Sequence, residues 1–242
     1  MKIEIWSDFV CPFCYIGKRR LEQALEEFDQ KDKVEVSFKS FELQPHLPSD
    51  KSVTVHEMLG KKMNMSPEQA KAMNEQVIAN AATVGLAYQF DEMKQTNTLD
   101  AHRLVKYAES VGKGGELTER LLSAHFLESQ FLGEHETLLD LATEVGLNRE
   151  EASKVLTSSD YLDEVRMDQQ EGQQLGVQGV PFFVFNRKYA ISGAQPHEAF
   201  VQTLKKVWEE ENQTAPLQHI QTDSDATCTD DGCEITEKNQ EV

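Results

Sequence analysis

Residues 11–14 read Cys-Pro-Phe-Cys, so two of the chain's four cysteines lie three positions apart around a proline. Thiols at this spacing support three kinds of chemistry. They are half of a zinc site, an inert pair, or a dithiol that closes to a disulfide and reopens. The other two, Cys228 and Cys233, enclose Thr-Asp-Asp-Gly near the C terminus. A six-residue segment containing Gly232 can close into a small disulfide ring once its Cα atoms come within about 7 Å. Together the pairs offer four thiolates to zinc. Against that, 213 residues intervene between Cys14 and Cys228, and the seven histidines are scattered with no His-Glu-x-x-His. No metal is expected.

The elements around residues 11–14 favour the dithiol. Ile3 and Ile5 alternate with Lys2, Glu4 and Trp6, which predicts a strand. After the cysteines, Leu21, Ala24, Leu25 and Phe28 recur at helical spacing. Cys11 therefore stands at a helix N terminus, where free N–H groups and the helix dipole stabilise a thiolate. Pro12 suits the first helical turn because it has no N–H to leave unbonded. Cys14, one turn on, is better shielded. This is the layout of a relay, in which Cys11 exchanges with a disulfide and Cys14 resolves the mixed disulfide.

Val34, Val36 and Phe38 predict a second strand, ending near Leu43 ahead of Pro45 and Pro48. Roughly 130 residues then carry almost no strand signal. Helix starts are recognisable at Ser66-Pro67-Glu68-Gln69, at Asn97-Thr98-Leu99-Asp100 and at Asn148-Arg149-Glu150-Glu151, and one helix stops at Gly146. Strand signal returns at Phe182–Phe185, a continuous apolar run suited to a buried strand. Asn186-Arg187 is a turn, and Tyr189 and Ile191 alternate on the return to Gly193. A last helix carries Phe200, Leu204, Val207 and Trp208 on one face. The order is β-α-β, a helical insert, then β-β-α. We expect a scaffold of residues 1–46 plus 176–211, a helical insertion over 47–175, and an acidic, flexible tail over 212–242.

This order, with Cys-x-x-Cys opening the first helix, resembles the thioredoxin fold of the DsbA-like family. Within it, the chain is similar to the FrnE-like cytoplasmic branch, a neighbour of 2-hydroxychromene-2-carboxylate isomerases and kappa-class glutathione transferases. The carrying motifs are SDFVCPFCYIGKRRLE, NTLDAHRLVKYA, LLDLATEVGL and GVQGVPFFVFNRKYAISGAQP, which span about residues 3–208. The resemblance implies a cis Val180–Pro181 bond beside the dithiol. There the Val180 backbone would hold an extended substrate and Pro12 and Phe13 would line the groove. Some chains of the FrnE-like branch resemble this one in carrying a pair like Cys228 and Cys233; the functional reading is an auxiliary dithiol that exchanges with Cys11–Cys14, and inert thiols or a metal site are the alternatives. Many relatives carry Trp or His where Phe13 stands, and Phe cannot favour the thiolate electrostatically as His can. The expectation is a pair less oxidising than one with His, near the –200 to –230 mV of glutaredoxins.

Other residues draw attention by position. Trp6 and Asp8 precede the dithiol and are candidates to contact it. Lys39 or Glu42 on the second strand could tune it. His102, beside Arg103 on an insert helix, reads more readily as a surface or capping residue than as a catalyst, and a place near the site is its weaker reading. Gly112–Gly115 lacks the strand–glycine–helix context of a phosphate site.

The formal net charge of –18 makes nucleic acid an unlikely partner. Seven acidic residues against Lys238 put –6 of it after residue 211. No apolar run approaches the roughly 18–20 residues of a membrane span. The N terminus reads as a strand and not a signal peptide, so the expected compartment is the cytoplasm. No flavin or nicotinamide motif is visible, and no cofactor is expected. The function expected is thiol–disulfide exchange with protein disulfides or low-molecular-weight ones such as glutathione mixed disulfides. A glutathione-dependent isomerase or transferase is the second reading; such relatives generally carry Ser in place of Cys11. A zinc-holding chaperone is the third.

Overall fold

A computed structural model describes residues 1–212, 224–229 and 232–237. Strand β1 (Lys2–Ser7) leads into helix α1 (Pro12–Glu26), and a short 3-10 turn leads to β2 (Glu35–Ser40). Strands β5 (Phe182–Phe185) and β6 (Tyr189–Ser192) and helix α9 (His197–Asn212) complete the scaffold. The sheet order is β2-β1-β5-β6, with β1 parallel to β2 and antiparallel to β5. The fold is therefore α/β, a thioredoxin-type scaffold carrying a helical insertion.

Alternation along β1 decides its two faces. Ile3 and Ile5 stand opposite Phe185 and Phe183 of β5 and join Leu21, Ala24, Phe28, Phe200 and Leu204 in one buried cluster. That cluster seats α1 and α9 on the sheet. Trp6 points to the other face, where it packs with Val177 and Val184. Between β5 and β6, Asn186 and Arg187 both adopt positive φ, 48° and 56°, and Lys188 N–H bonds Phe185 C=O at 2.9 Å. This is a primed hairpin turn. Arg187 turns back to grip buried Glu4 through two hydrogen bonds of 2.6 Å.

Between the scaffold halves run α2 (Val55–Met63), α3 (Pro67–Ala82), α4 (Leu99–Ser110), α5 (Gly114–Glu128), α6 (His135–Glu144), α7 (Arg149–Thr157) and α8 (Leu162–Gln174). Their starts follow the sequence signals. Ser66 and Gln69 form a reciprocal capping box, and Asn148 accepts from Glu151 N–H at 3.0 Å. The insert is not wholly helical. β3 (Asp50–Thr54) pairs antiparallel with β4 (Lys94–Gln95) in a short, irregular ribbon. Two residues with a register shift leave no period-2 pattern to read, so the pairing is set by long-range packing.

Residues Met1–Trp208 form one compact unit. Phe9, Tyr15 and Ile16, on either side of the cysteines, belong to the insert's core together with Tyr88, Leu104, Leu121 and Phe126. Helix α1 is thus clamped between two cores. The second unit, Glu209–Val242, contains β7 (Ser224–Thr229) and β8 (Gly232–Glu237), paired antiparallel with Cys228 opposite Cys233. The stretch expected as an acidic tail carries this hairpin over its described residues. The expected flexibility of residues 213–223, 230–231 and 238–242 lies outside the described residues.

Candidate active site

Cys11 occupies the N-cap of α1 in an extended conformation, and Pro12 takes the first helical position. The Cys11 side chain makes no cap bond to the helix; Pro12 has no N–H and Cys14 N–H bonds Cys11 C=O at 3.0 Å, so of the first-turn donors the Phe13 N–H, with the helix dipole, is left to a charge on the Cys11 sulfur. Both cysteines are free thiols. Their surroundings differ. Cys11 Sγ donates to Val180 C=O at 3.4 Å, across 169 residues of sequence. Cys14, 2% exposed, points inward and accepts from Asp8 N–H at 3.4 Å. Burial pushes the Cys14 thiol up, and its bond to Cys11 adds to that. The Ser7 hydroxyl and the Asp8 N–H pull the other way.

The Val180–Pro181 peptide is cis. Pro181 C=O accepts from Gly193 N–H at 2.8 Å, which fixes the loop ahead of β5. Gly17 explains how close α1 comes. A Cβ there would lie 2.9 Å from Phe183 Cζ and 3.1 Å from Pro181 Cγ. Only glycine lets the helix carry its thiols against this strand. Phe13, 40% exposed, is the apolar side chain left open beside the pair, with Pro12 half-buried next to it.

The structure thus brings Cys11 and Cys14 together with Val180 and Pro181 from the far end of the chain, and Pro12 and Phe13 lie in the same turn. Asp8 joins them and is 1% exposed. Its Oδ2 accepts from Leu43 N–H at 2.8 Å, and its Oδ1 lies 3.3 Å from His102 Nε2. The His102 ring packs on Phe9 with centroids 4.8 Å apart. His102 therefore reaches the site through Asp8.

Other candidates lie elsewhere. Trp6 faces the opposite side of the sheet and donates to Asp168 C=O at 2.8 Å. Lys39 pairs with Asp168 and Glu171 at 3.0 and 3.1 Å, and Glu42 binds Arg166 and Gln169. Arg103, beside His102 on α4, is buried. It bonds the carbonyls of Val155, Ser158 and Asp160 and so ties α4 to the turn after α7. Cys228 and Cys233 stand opposite each other in their own hairpin, in the second unit.

Tyr88 was not legible as a site residue. Its hydroxyl donates to Pro12 C=O at 2.7 Å, inside the turn that joins the two thiols. Burial, then the charges of Cys11 and Tyr15, push its phenol well up, so it stays a donor. The ring stacks on Phe126 at 4.8 Å. Its local sequence, in the link between α3 and β4, carries no motif. Only the fold brings it here.

Comparisons with known proteins bear on the family and the fold. The family model of the DsbA-like thioredoxin domain matches residues 2–205. The crystal structure of a probable DsbA oxidoreductase from Streptomyces coelicolor is 41% identical, with a TM-score of 0.82, over 98% of this chain and 99% of that one. An uncharacterized protein from Bacillus subtilis, YwbO, is 28% identical over 84% of this chain and 94% of its own length. The cytosolic disulfide reductase DsbM from Pseudomonas aeruginosa shares the fold at 18% identity, with a TM-score of 0.63, over 87% of this chain and all of that one.

Proposed function

From the premise that this chain belongs to the DsbA-like thioredoxin family, we propose that it is a thiol–disulfide oxidoreductase working through Cys11 and Cys14. Cys11 attacks a substrate disulfide, and Cys14 resolves the resulting mixed disulfide. The observation that carries this reading is the asymmetry of the pair. Cys11 lies at the helix N terminus against the Val180 carbonyl, and Cys14 lies behind it against Ser7 and Asp8.

Substrates are protein disulfides or glutathione-type mixed disulfides, seated along Val180–Pro181 and against exposed Phe13. Residues 1–46 and 176–211 supply the chemistry, and residues 47–175 cover it. The chain sits in the FrnE-like branch and works in a reducing compartment, where closely spaced cysteines serve catalysis more often than structure. The Cys228–Cys233 pair is an auxiliary dithiol. Directly opposed strand positions have Cα atoms about 4.5–5.5 Å apart, within the range a disulfide spans.

A glutathione redox titration tests the reading. Thiols are alkylated at each poise and assigned by peptide mass. Joint closure of Cys11 and Cys14 at one midpoint, near –200 to –230 mV, is expected. If these two cysteines never pair with each other, the dithiol mechanism is wrong. A midpoint near –120 mV would instead overturn the argument from Phe13 alone.

A further inference from the structure

A buried polar cluster lies behind the dithiol, where β1, α4 and α5 meet. Ser7 ends β1, next to the Asp8 N–H that donates to Cys14 Sγ at 3.4 Å, and its hydroxyl pulls the Cys14 thiol down. Ser7, Phe9, Ser40, His102, Lys106 and Thr118 border a cavity of about 10 Å³, the space of a single water. Thr118 is 2% exposed, and among the described residues its Oγ1 has no hydrogen-bond partner. A buried hydroxyl in that condition calls for a ligand. His102 is oriented from behind. In the tautomer that directs Nε2–H at Asp8 Oδ1, Nδ1 is the ring's acceptor.

The resolving thiol needs such a neighbourhood. Cys14 is cut off from solvent, and burial raises its thiol, yet it must shed a proton to attack. We propose that the cavity holds one water, bound by Thr118 Oγ1 between Ser7 and His102, and that Ser7, this water and His102 carry the Cys14 proton. The proposal rests on the dithiol reading above and adds the proton's route to it.

In the resolving step, the Cys14 sulfur attacks the Cys11 sulfur of the mixed disulfide. The Cys11–Cys14 bond forms, and the bond from Cys11 to the substrate sulfur breaks. The electron pair leaves with the substrate as a thiolate. The Cys14 proton moves to Ser7 Oγ as the Ser7 proton moves to the water, and a proton of the water moves to His102 Nδ1. The imidazolium is held by the Asp8 carboxylate. Reduction of the Cys11–Cys14 disulfide runs the same path backwards.

The charged and titratable groups around His102 suit this role. Asp8 faces it from the β1–α1 link. His125 of α5, within electrostatic reach of Asp8, is held down to about 4 by burial and stays neutral. Lys39 of β2 and Lys106 of α4 also border the cavity, both paired with Asp168 of α8. Glu109 of α4 pairs with Lys106 in turn.

The test follows the Cys11–glutathione adduct in the full-length protein by acid quench and mass, after mixing the dithiol form with oxidised glutathione. In Thr118→Val the adduct should form at the wild-type rate and decay at least about tenfold more slowly near pH 7. The deficit should shrink as pH rises and Cys14 ionises unaided. Thr118→Ser should restore the decay. Wild-type decay in Thr118→Val, equal slowing of both steps, or failure of the Ser variant to rescue overturns the proposal. If wild type forms no adduct and no Cys11–Cys14 disulfide, the dithiol reading itself has failed. A high-resolution crystal structure of the wild type gives a second check. A water bonded to Thr118 Oγ1 supports the proposal, and a dry cavity overturns it.

Discussion

Toward the sheet, α1 presents Leu21 and Ala24, which with Phe28 just beyond its end join Ile3, Ile5, Phe183 and Phe200 in an apolar core. Toward the insert, it presents Tyr15, Lys18 and Arg19, which converge on Glu119 of α5, with Tyr15 Oη donating to that carboxylate at 2.6 Å. The first face is held by burial, which is non-directional and tolerates small slides. The second is held by directional bonds among charged groups, which fix rotation about the helix axis. The thiols sit at the end of α1 where both faces begin. Depth against Pro181 comes from the sheet face, and the orientation of the Cys11–Cys14 turn comes from the insert face. A scaffold alone would supply the first and not the second.

The sharpest way to break this comparison is to remove the groups both faces serve. Cys11→Ser should abolish exchange with glutathione disulfide. Cys14→Ser should still react and then accumulate the Cys11–glutathione adduct. Mass spectrometry of quenched samples separates the two. Equal behaviour of the two variants would mean that the two positions do not play different parts.

His125 offers a pH test of the insert side. Burial pulls its imidazole down to about 4 from an ordinary value near 6.5. The unfolded chain takes up this proton near pH 6.5, and the folded chain only near pH 4. Stability is therefore lost as pH falls from about 6.5 to about 4, by up to ~3 kcal/mol from this group, and no further below. His125→Leu should flatten the dependence of urea midpoints on pH in that window. An unchanged slope would show that the ring is not held neutral by its burial.

Gly17 tests the sheet side. Alanine gains up to ~1 kcal/mol of helix propensity in a helix interior. Here its Cβ meets Phe183 and Pro181 at 2.9 and 3.1 Å, and overpacking of this kind costs about 1–3 kcal/mol. The net expectation for Gly17→Ala is a loss of up to ~2 kcal/mol in urea unfolding, with slower exchange because Pro181 is pushed from the thiols. A gain in stability would mean that α1 has room to retreat.

The same division explains what could be read from the sequence. The scaffold was legible because its signals are local. Period 2 in β1, the apolar run of β5, helical spacing after Cys14 and the Asn186-Arg187 turn each declare themselves within a few residues. Cys11, Cys14 and Pro181 followed from them and from the resemblance to a known family. The insert face was not legible. Thr118 and His125 recur at i and i+7 on α5, a spacing that a reader assigns to ordinary core. Tyr88, Asp8 and His102 meet only because three distant segments close on one another. Trp6 precedes the dithiol in sequence but not in space, because on a pleated strand it faces away from Ile5 and Ser7. Lys39 is on the right strand, but Asp168 of α8 holds its ammonium. No local pattern announces such a pairing.

The smallest effect is also the most discriminating. Tyr15 and Tyr88 are neighbours in one aromatic cluster, with centroids 6.3 Å apart, and each buries a phenol that donates one hydrogen bond. Tyr15 bonds Glu119, on the insert side of α1. Tyr88 bonds the Pro12 carbonyl, between the thiols. Replacing either by Phe removes a hydroxyl from nearly the same place, and each should cost about 1 kcal/mol, a fall of about 2–4 °C in Tm. If the insert's directional bonds orient the dithiol, only Tyr88→Phe should also change the alkylation rate of Cys11 by iodoacetamide. Tyr15→Phe should leave that rate near wild type because its bond lies away from the Cys11–Cys14 turn. Equal changes in both variants would mean that the aromatic cluster as a whole, and not the Tyr88 bond, sets the turn.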